Sequence, residues 1–156
     1  MPGARELPNP QLLGTEMARD CLATRVRMLS RTITRIYDAA LRPHGLTISQ
    51  LGILSVLEIL QPAPSNKVAG YMSMEISTLS RNARLMEREG WITIEPSEHG
   101  NGRVLSLTAA GASKLREATP AWAQAQIDAK ALLGAEDAGT ITRLVDRVWV
   151  RQSSRN

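Results

Sequence analysis

The stretch Ser65-Asn66-Lys67-Val68-Ala69-Gly70-Tyr71-Met72-Ser73-Met74-Glu75-Ile76-Ser77-Thr78-Leu79-Ser80-Arg81-Asn82-Ala83-Arg84-Leu85-Met86-Glu87-Arg88-Glu89-Gly90-Trp91-Ile92-Thr93-Ile94-Glu95 decides the fold. Ser65 reads as the cap of a short helix ending at Tyr71. Ser73 reads as the cap of a second helix, Met74 to Gly90, with Ile76, Leu79, Ala83 and Met86 as its buried stripe and Gly90 as its stop. Trp91 to Glu95 alternates as a strand, and Arg103 to Leu107 alternates again. The turn-forming residues Pro96-Ser97-Glu98-His99-Gly100-Asn101-Gly102 lie between them, so a hairpin is expected. Two helices joined by a tight turn and followed at once by a hairpin are a helix-turn-helix with a wing.

Outward from this stretch the chain is helical. Leu22, Val26, Leu29, Ile33, Ile36 and Ala40 recur at spacings of four and three, which predicts a long amphipathic helix over Cys21 to Leu41. Pro43 and Gly45 end it. Thr47 can cap the next helix, Ile48 to Ile59, with Leu51, Ile53, Leu54 and Leu57 as core. Gln61 to Pro64 reads as a loop. Thr108 caps a helix over Ala109 to Leu133 that carries Pro120 as a kink, Gly134 interrupts, and Glu136 to Val150 closes the chain with Ile141, Leu144, Val145 and Val148 on one face. The fold class expected is therefore mainly α with a small β-hairpin wing. Residues 1–18, with Pro2, Pro8 and Pro10, read as a flexible arm, and 19–156 as a single domain.

The 156 residues carry a formal charge of +4, and 16 of the 19 basic residues are Arg. Arginine keeps its charge and forks onto phosphate and guanine edges, which suits nucleic acid. No Phe is present, which argues against single-strand or RNA modules built on stacking platforms. One cysteine cannot make an internal disulfide, no apolar run reaches the ~20 residues of a membrane span, and no signal peptide is visible, so a cytoplasmic setting is expected. His44 and His99 lack a matching Ser or Cys arrangement. No metal-ligand spacing and no phosphate loop occur, so neither an enzyme nor a cofactor is expected.

The second helix of the pair is the one to test for groove reading. Ser73 at its start and Ser77, Thr78, Arg81 and Arg84 opposite its apolar stripe, with Arg88 near its end, combine hydroxyls and Arg as major-groove base edges require. In the hairpin, Asn101 and Arg103 are the candidates for backbone or minor-groove contact with double-stranded DNA.

The chain resembles the MarR family of winged-helix transcription regulators. Gly45-Leu46-Thr47-Ile48-Ser49-Gln50-Leu51, Ser77-Thr78-Leu79-Ser80-Arg81-Asn82, Leu85-Met86-Glu87-Arg88-Glu89-Gly90-Trp91-Ile92 and Leu107-Thr108-Ala109-Ala110-Gly111 carry the resemblance, in order, over about residues 20–150. It implies a winged lobe at about 46–108 and dimerisation helices at about 19–42 and 109–151. It also implies a homodimer on a palindromic operator and relief of binding by a small ligand or oxidant. One departure is plain. Such regulators carry Asp-x-Arg in the wing, and the matching positions here are His99-Gly100-Asn101, so Arg103 is the candidate to replace the missing arginine.

Arg31, Arg35 and His44, with Trp122 as a wall, are candidates for an anion pocket that would take an aromatic acid or an acyl-CoA. Cys21 at a helix start invites a redox reading. Aligned through Tyr37, however, the cysteine of peroxide-sensing relatives falls at Ala23, and their paired tyrosines are absent from Thr47–Leu51, so a buried, inert thiol is expected. A winged-helix protein-interaction adaptor is the alternative from another class. It would expose apolar residues where Ser77, Thr78, Arg81 and Arg84 stand.

Overall fold

The computed structural model describes residues 14–15, 19–98, 100 and 102–153, with side chains described as far as Trp149. The expected arm lies outside these residues apart from Gly14 and Thr15, and so do the wing-tip residues His99 and Asn101. In chain order the elements are α1 (Leu22–Leu41), a 3-10 turn (Arg42–His44), α2 (Ile48–Leu60), β1 (Ala63–Pro64), α3 (Ser65–Tyr71), α4 (Ile76–Arg88), β2 (Ile92–Pro96), β3 (Arg103–Leu107), α5 (Ala109–Leu133) and α6 (Ala135–Ser153). The chain divides after Arg35 into two compact units, the second beginning within α1 at Ile36.

The core of the second unit is built on α2. Thr47 accepts from the Gln50 backbone N–H while the Gln50 side chain accepts from the Thr47 N–H, a reciprocal cap that fixes where the helix begins. Asp38 adds a second cap, its Oδ1 accepting from the Ile48 N–H at 2.7 Å. Leu51, Ile53, Leu54, Val56 and Leu57 are all buried, so α2 is covered on most sides. Leu41, Val68, Leu79, Met86, Ile92 and Leu105 close around it, each side chain contributing about 1.5–3 kcal/mol by leaving water.

The sheet is larger than expected. Gln61–Pro64 was expected as loop, but Ala63 and Pro64 form an edge strand paired with Leu105 and Val104, giving an antiparallel order β1-β3-β2. Two residues with prolines on either side of Ala63 carry no readable alternation, and β3 supplies the template. Ile92 pairs Leu107 and Pro96 pairs Arg103, so the hairpin itself is regular.

Three further expectations at the helix ends are corrected. Ser65 is the first residue of α3, behind Pro64, and makes no side-chain cap. Ser73 does not cap α4, which starts at Ile76 behind Glu75. Instead Ser73 ends α3 in the left-handed region at φ 49°, with its N–H on Gly70 O and the Met74 N–H on Ala69 O. Ile76, placed in the buried stripe, is 49% exposed because it stands at the first turn, before the helix reaches the core, while Leu79, Ala83 and Met86 are buried as expected. Helix α5 runs unbroken from Ala109 to Leu133 with Pro120 inside it.

Candidate nucleic-acid interface

Helix α4 is held by its buried side and by its end. At 100° per residue, Ser77, Arg81, Arg84 and Arg88 fall within an arc of about 60°, opposite Leu79, Ala83 and Met86. All four are exposed, and Thr78, about 60° beyond the arc, is half-buried. Arg81 Nη2 donates to Thr78 Oγ1 at 3.2 Å, and Asn82 Nδ2 donates to the Thr78 carbonyl at 3.0 Å. Among the described residues, no carboxylate lies within ion-pair distance of Arg81, Arg84, Arg88 or Arg103. Four guanidiniums with no carboxylate partner among the described residues are an available positive surface.

The wing continues that surface. Arg103 shares a strand face with Leu105, and both line a cleft of about 190 Å³ against α4. Its floor is Leu79, Ala83, Ile94 and Leu105, while Ser65, Ser80, Arg84, Glu87 and Arg103 form its rim. The structure thus brings Arg84 and Arg103 to one cleft from two elements. Ser65 and Ser80 were missed as site residues. Ser80 was legible from its spacing, three residues after Ser77 and four before Arg84. Ser65 was not, because only the fold carries the start of α3 to the wing.

A joint fixes how α4 and the wing meet α5. Thr108 Oγ1 donates to Gly90 O at 2.6 Å and accepts from the Gly111 N–H at 3.0 Å, while the Thr108 N–H reaches Trp91 O at 3.0 Å. Gly111 permits this approach, since a Cβ there would sit 2.0 Å from Trp91 O. One turn on, Lys114 Nζ lies 5.6 Å from the Trp91 ring centroid. Glu117 follows at 3.6 Å from Lys114 and 3.3 Å from His44 Nδ1, and these partners, His44 first, hold its carboxyl below the usual range.

The remaining candidates are placed separately. Arg31 and Arg35 are exposed on α1, His44 pairs with Glu117, and Trp122 is exposed on α5. The cleft between α4 and the wing is lined by none of the four. Ser73 lies in the turn ahead of α4 and is exposed. Cys21 is half-buried rather than buried, directly ahead of α1, where its carbonyl accepts from the Arg25 N–H. The Thr24 hydroxyl, and then the Thr24 backbone N–H, stabilise the thiolate and hold this thiol below its ordinary range. The expected burial of this thiol therefore does not hold. Trp149 meets Tyr71 of the same chain edge-on at 5.6 Å.

No family model matches the sequence. The uncharacterized HTH-type transcriptional regulator YwoH of Bacillus subtilis (strain 168) is 25% identical over 96 residues, 62% of this chain and 70% of that protein. The M. tuberculosis transcriptional regulator MosR is 27% identical with a TM-score of 0.73, covering 87% of this chain and 98% of its own. The chain has the winged helix-turn-helix fold of the MarR-type transcriptional regulators. MosR has also been solved in complex with DNA, with a TM-score of 0.73 to this chain. A mutant MarR from E. coli complexed with operator DNA shares the fold at a TM-score of 0.72 and 18% identity, covering 85% of this chain and 96% of its own. In this fold, α3 and α4 are the helix-turn-helix and β2–β3 the wing.

Proposed function

We propose that this MarR-type regulator binds double-stranded DNA sequence-specifically as a homodimer on an inverted repeat, and acts as a ligand-responsive repressor. The observation that carries the reading is the row of exposed arginines on α4, none of them in an ion pair among the described residues, continued by Arg103 on the wing. Hydroxyls and guanidiniums on a helix following a tight turn suit major-groove edges, and a wing arginine suits the backbone or the minor groove. The polar face of α4 also speaks against the adaptor reading, which needs apolar residues there. Relatives of the same fold solved on DNA support the partner.

The dimer rests on apolar residues left in water. Leu22 on α1 is 75% exposed, and on α6 Leu144, Val145 and Val148 are exposed as well. Apolar surface of this extent on helices is most cheaply covered by a second copy. The effector, a small aromatic acid or an acyl-CoA, is carried over from the family resemblance. No single helix among the described residues is long and apolar enough to cross a membrane, and the proposed site of action is the cytoplasm, where the DNA is.

The test is selection from a pool of randomised duplexes by the full chain. Enrichment of an inverted repeat with half-sites about 10–10.5 bp apart, or a multiple of it, is expected. Recovery of duplexes no tighter than the starting pool would remove sequence-specific binding and bring the adaptor forward.

A further inference from the structure

We infer that Thr78 is a positioning residue for Arg81, and that the two side chains act as one donor unit on a guanine edge of the operator. The inference rests on the proposed DNA reading and adds to it how one base is chosen. Arg81 has no carboxylate to hold it among the described residues, so its long side chain would otherwise sweep freely and lose that freedom on binding. The 3.2 Å bond from Arg81 Nη2 to Thr78 Oγ1 holds it before DNA arrives. Threonine suits the task because branching at Cβ restricts its χ1.

The hydrogen-bond inventory then sets the chemistry. Thr78 Oγ1 accepts from Arg81 and keeps its own proton to donate, while the guanidinium keeps four further N–H groups. The pair therefore offers donors outward and no charged acceptor. Guanine presents two acceptors, O6 and N7, side by side in the major groove, whereas cytosine presents an amino donor at the same edge. A donor unit favours the first and is repelled by the second.

The probe is the best duplex recovered by the wild-type chain, together with its one-base variants, titrated by fluorescence anisotropy. Arg81→Ala locates the base pair by flattening discrimination there. Thr78→Val, which keeps the shape and removes the hydroxyl, is expected to reduce discrimination at that same pair by about fivefold, the worth of one hydrogen bond. Thr78→Ser is expected to retain most of it, and Thr78→Val with Arg81→Ala to be no worse than Arg81→Ala alone. A loss from Thr78→Val at a different base pair, or a loss that adds fully to that of Arg81→Ala, would overturn the inference while leaving DNA reading intact. Equal losses from the Ser and Val variants would also overturn it, since the hydroxyl would then be irrelevant. If Arg81→Ala itself leaves discrimination unchanged, the reading of bases by α4 falls, and the inference falls with it.

Discussion

Ser73 stands where a glycine is the better residue. Helices α3 and α4 end in the same hydrogen-bond pattern. The Ser73 and Met74 N–H groups return to Gly70 and Ala69, and the Gly90 and Trp91 N–H groups return to Glu87 and Met86. Gly90 takes the left-handed position at φ 73° and Ser73 takes it at φ 49°. A side chain in that region costs about 1–2 kcal/mol, and glycine returns part of this through the freedom of the unfolded chain. Ser73→Gly is therefore expected to raise stability by about 0.5–1 kcal/mol in urea unfolding, with no gain as the contrary result. In sequence a serine ahead of an apolar stripe looks like a cap, and only the backbone of the turn shows that it belongs to the helix behind it. Cys21 makes a second prediction. Because the hydroxyl and N–H of Thr24 favour the thiolate, alkylation of Cys21 should reach half its limiting rate below the pH of an ordinary thiol. Thr24→Val should move that profile upward. A profile at or above the ordinary thiol value would contradict the assigned hydrogen bonds.

Among the elements, the start of α5 decides whether recognition helix and wing keep their angle. Thr108 is at once the cap of α5 and the clasp on Gly90 and Trp91, and Gly111 leaves the space the clasp needs. Gly111→Ala must push Trp91 O away from an approach of 2.0 Å. A cost of about 2–3 kcal/mol is expected in urea unfolding, at the upper end for overpacking. Thr108→Val, losing cap and clasp, should cost about 1–2 kcal/mol. An unchanged midpoint for Gly111→Ala would show that the joint yields freely. The order of helices, the hairpin and the caps at Thr47 and Thr108 were all legible, because each rests on local spacing or on one residue type at one position. Strand β1 was not legible, since two residues carry no period and β3 organises them from about forty residues away. Ile76 was misplaced for a related reason: an apolar residue in register with a stripe is buried only if a neighbour covers that turn.

For the whole molecule, exposed apolar helix faces and uncompensated arginines call for different partners. The exposed leucines and valines of α1 and α6 predict a dimer in sedimentation at micromolar concentration, and a monomer there would contradict the account. The arginines predict DNA. Of the proposed contacts, Arg81, Arg84 and Arg103 were legible from the positions of helix and wing, whereas Asn101 lies outside the described residues. The meeting of Arg84 and Arg103 at one cleft follows only from the packing of β3 on α4. The most direct test of the central claim compares Arg81→Ala and Arg103→Ala on the selected operator and on a one-base mismatch, titrated at several salt concentrations. Arg81→Ala is expected to cost about 1–3 kcal/mol on the operator and to flatten discrimination at one base pair per half-site. Arg103→Ala is expected to weaken operator and mismatch alike and to reduce the salt slope by about one unit for each phosphate left without its arginine. Equal, sequence-independent losses for both variants, or no loss for either, would contradict the claim that α4 reads the bases and the wing holds the backbone.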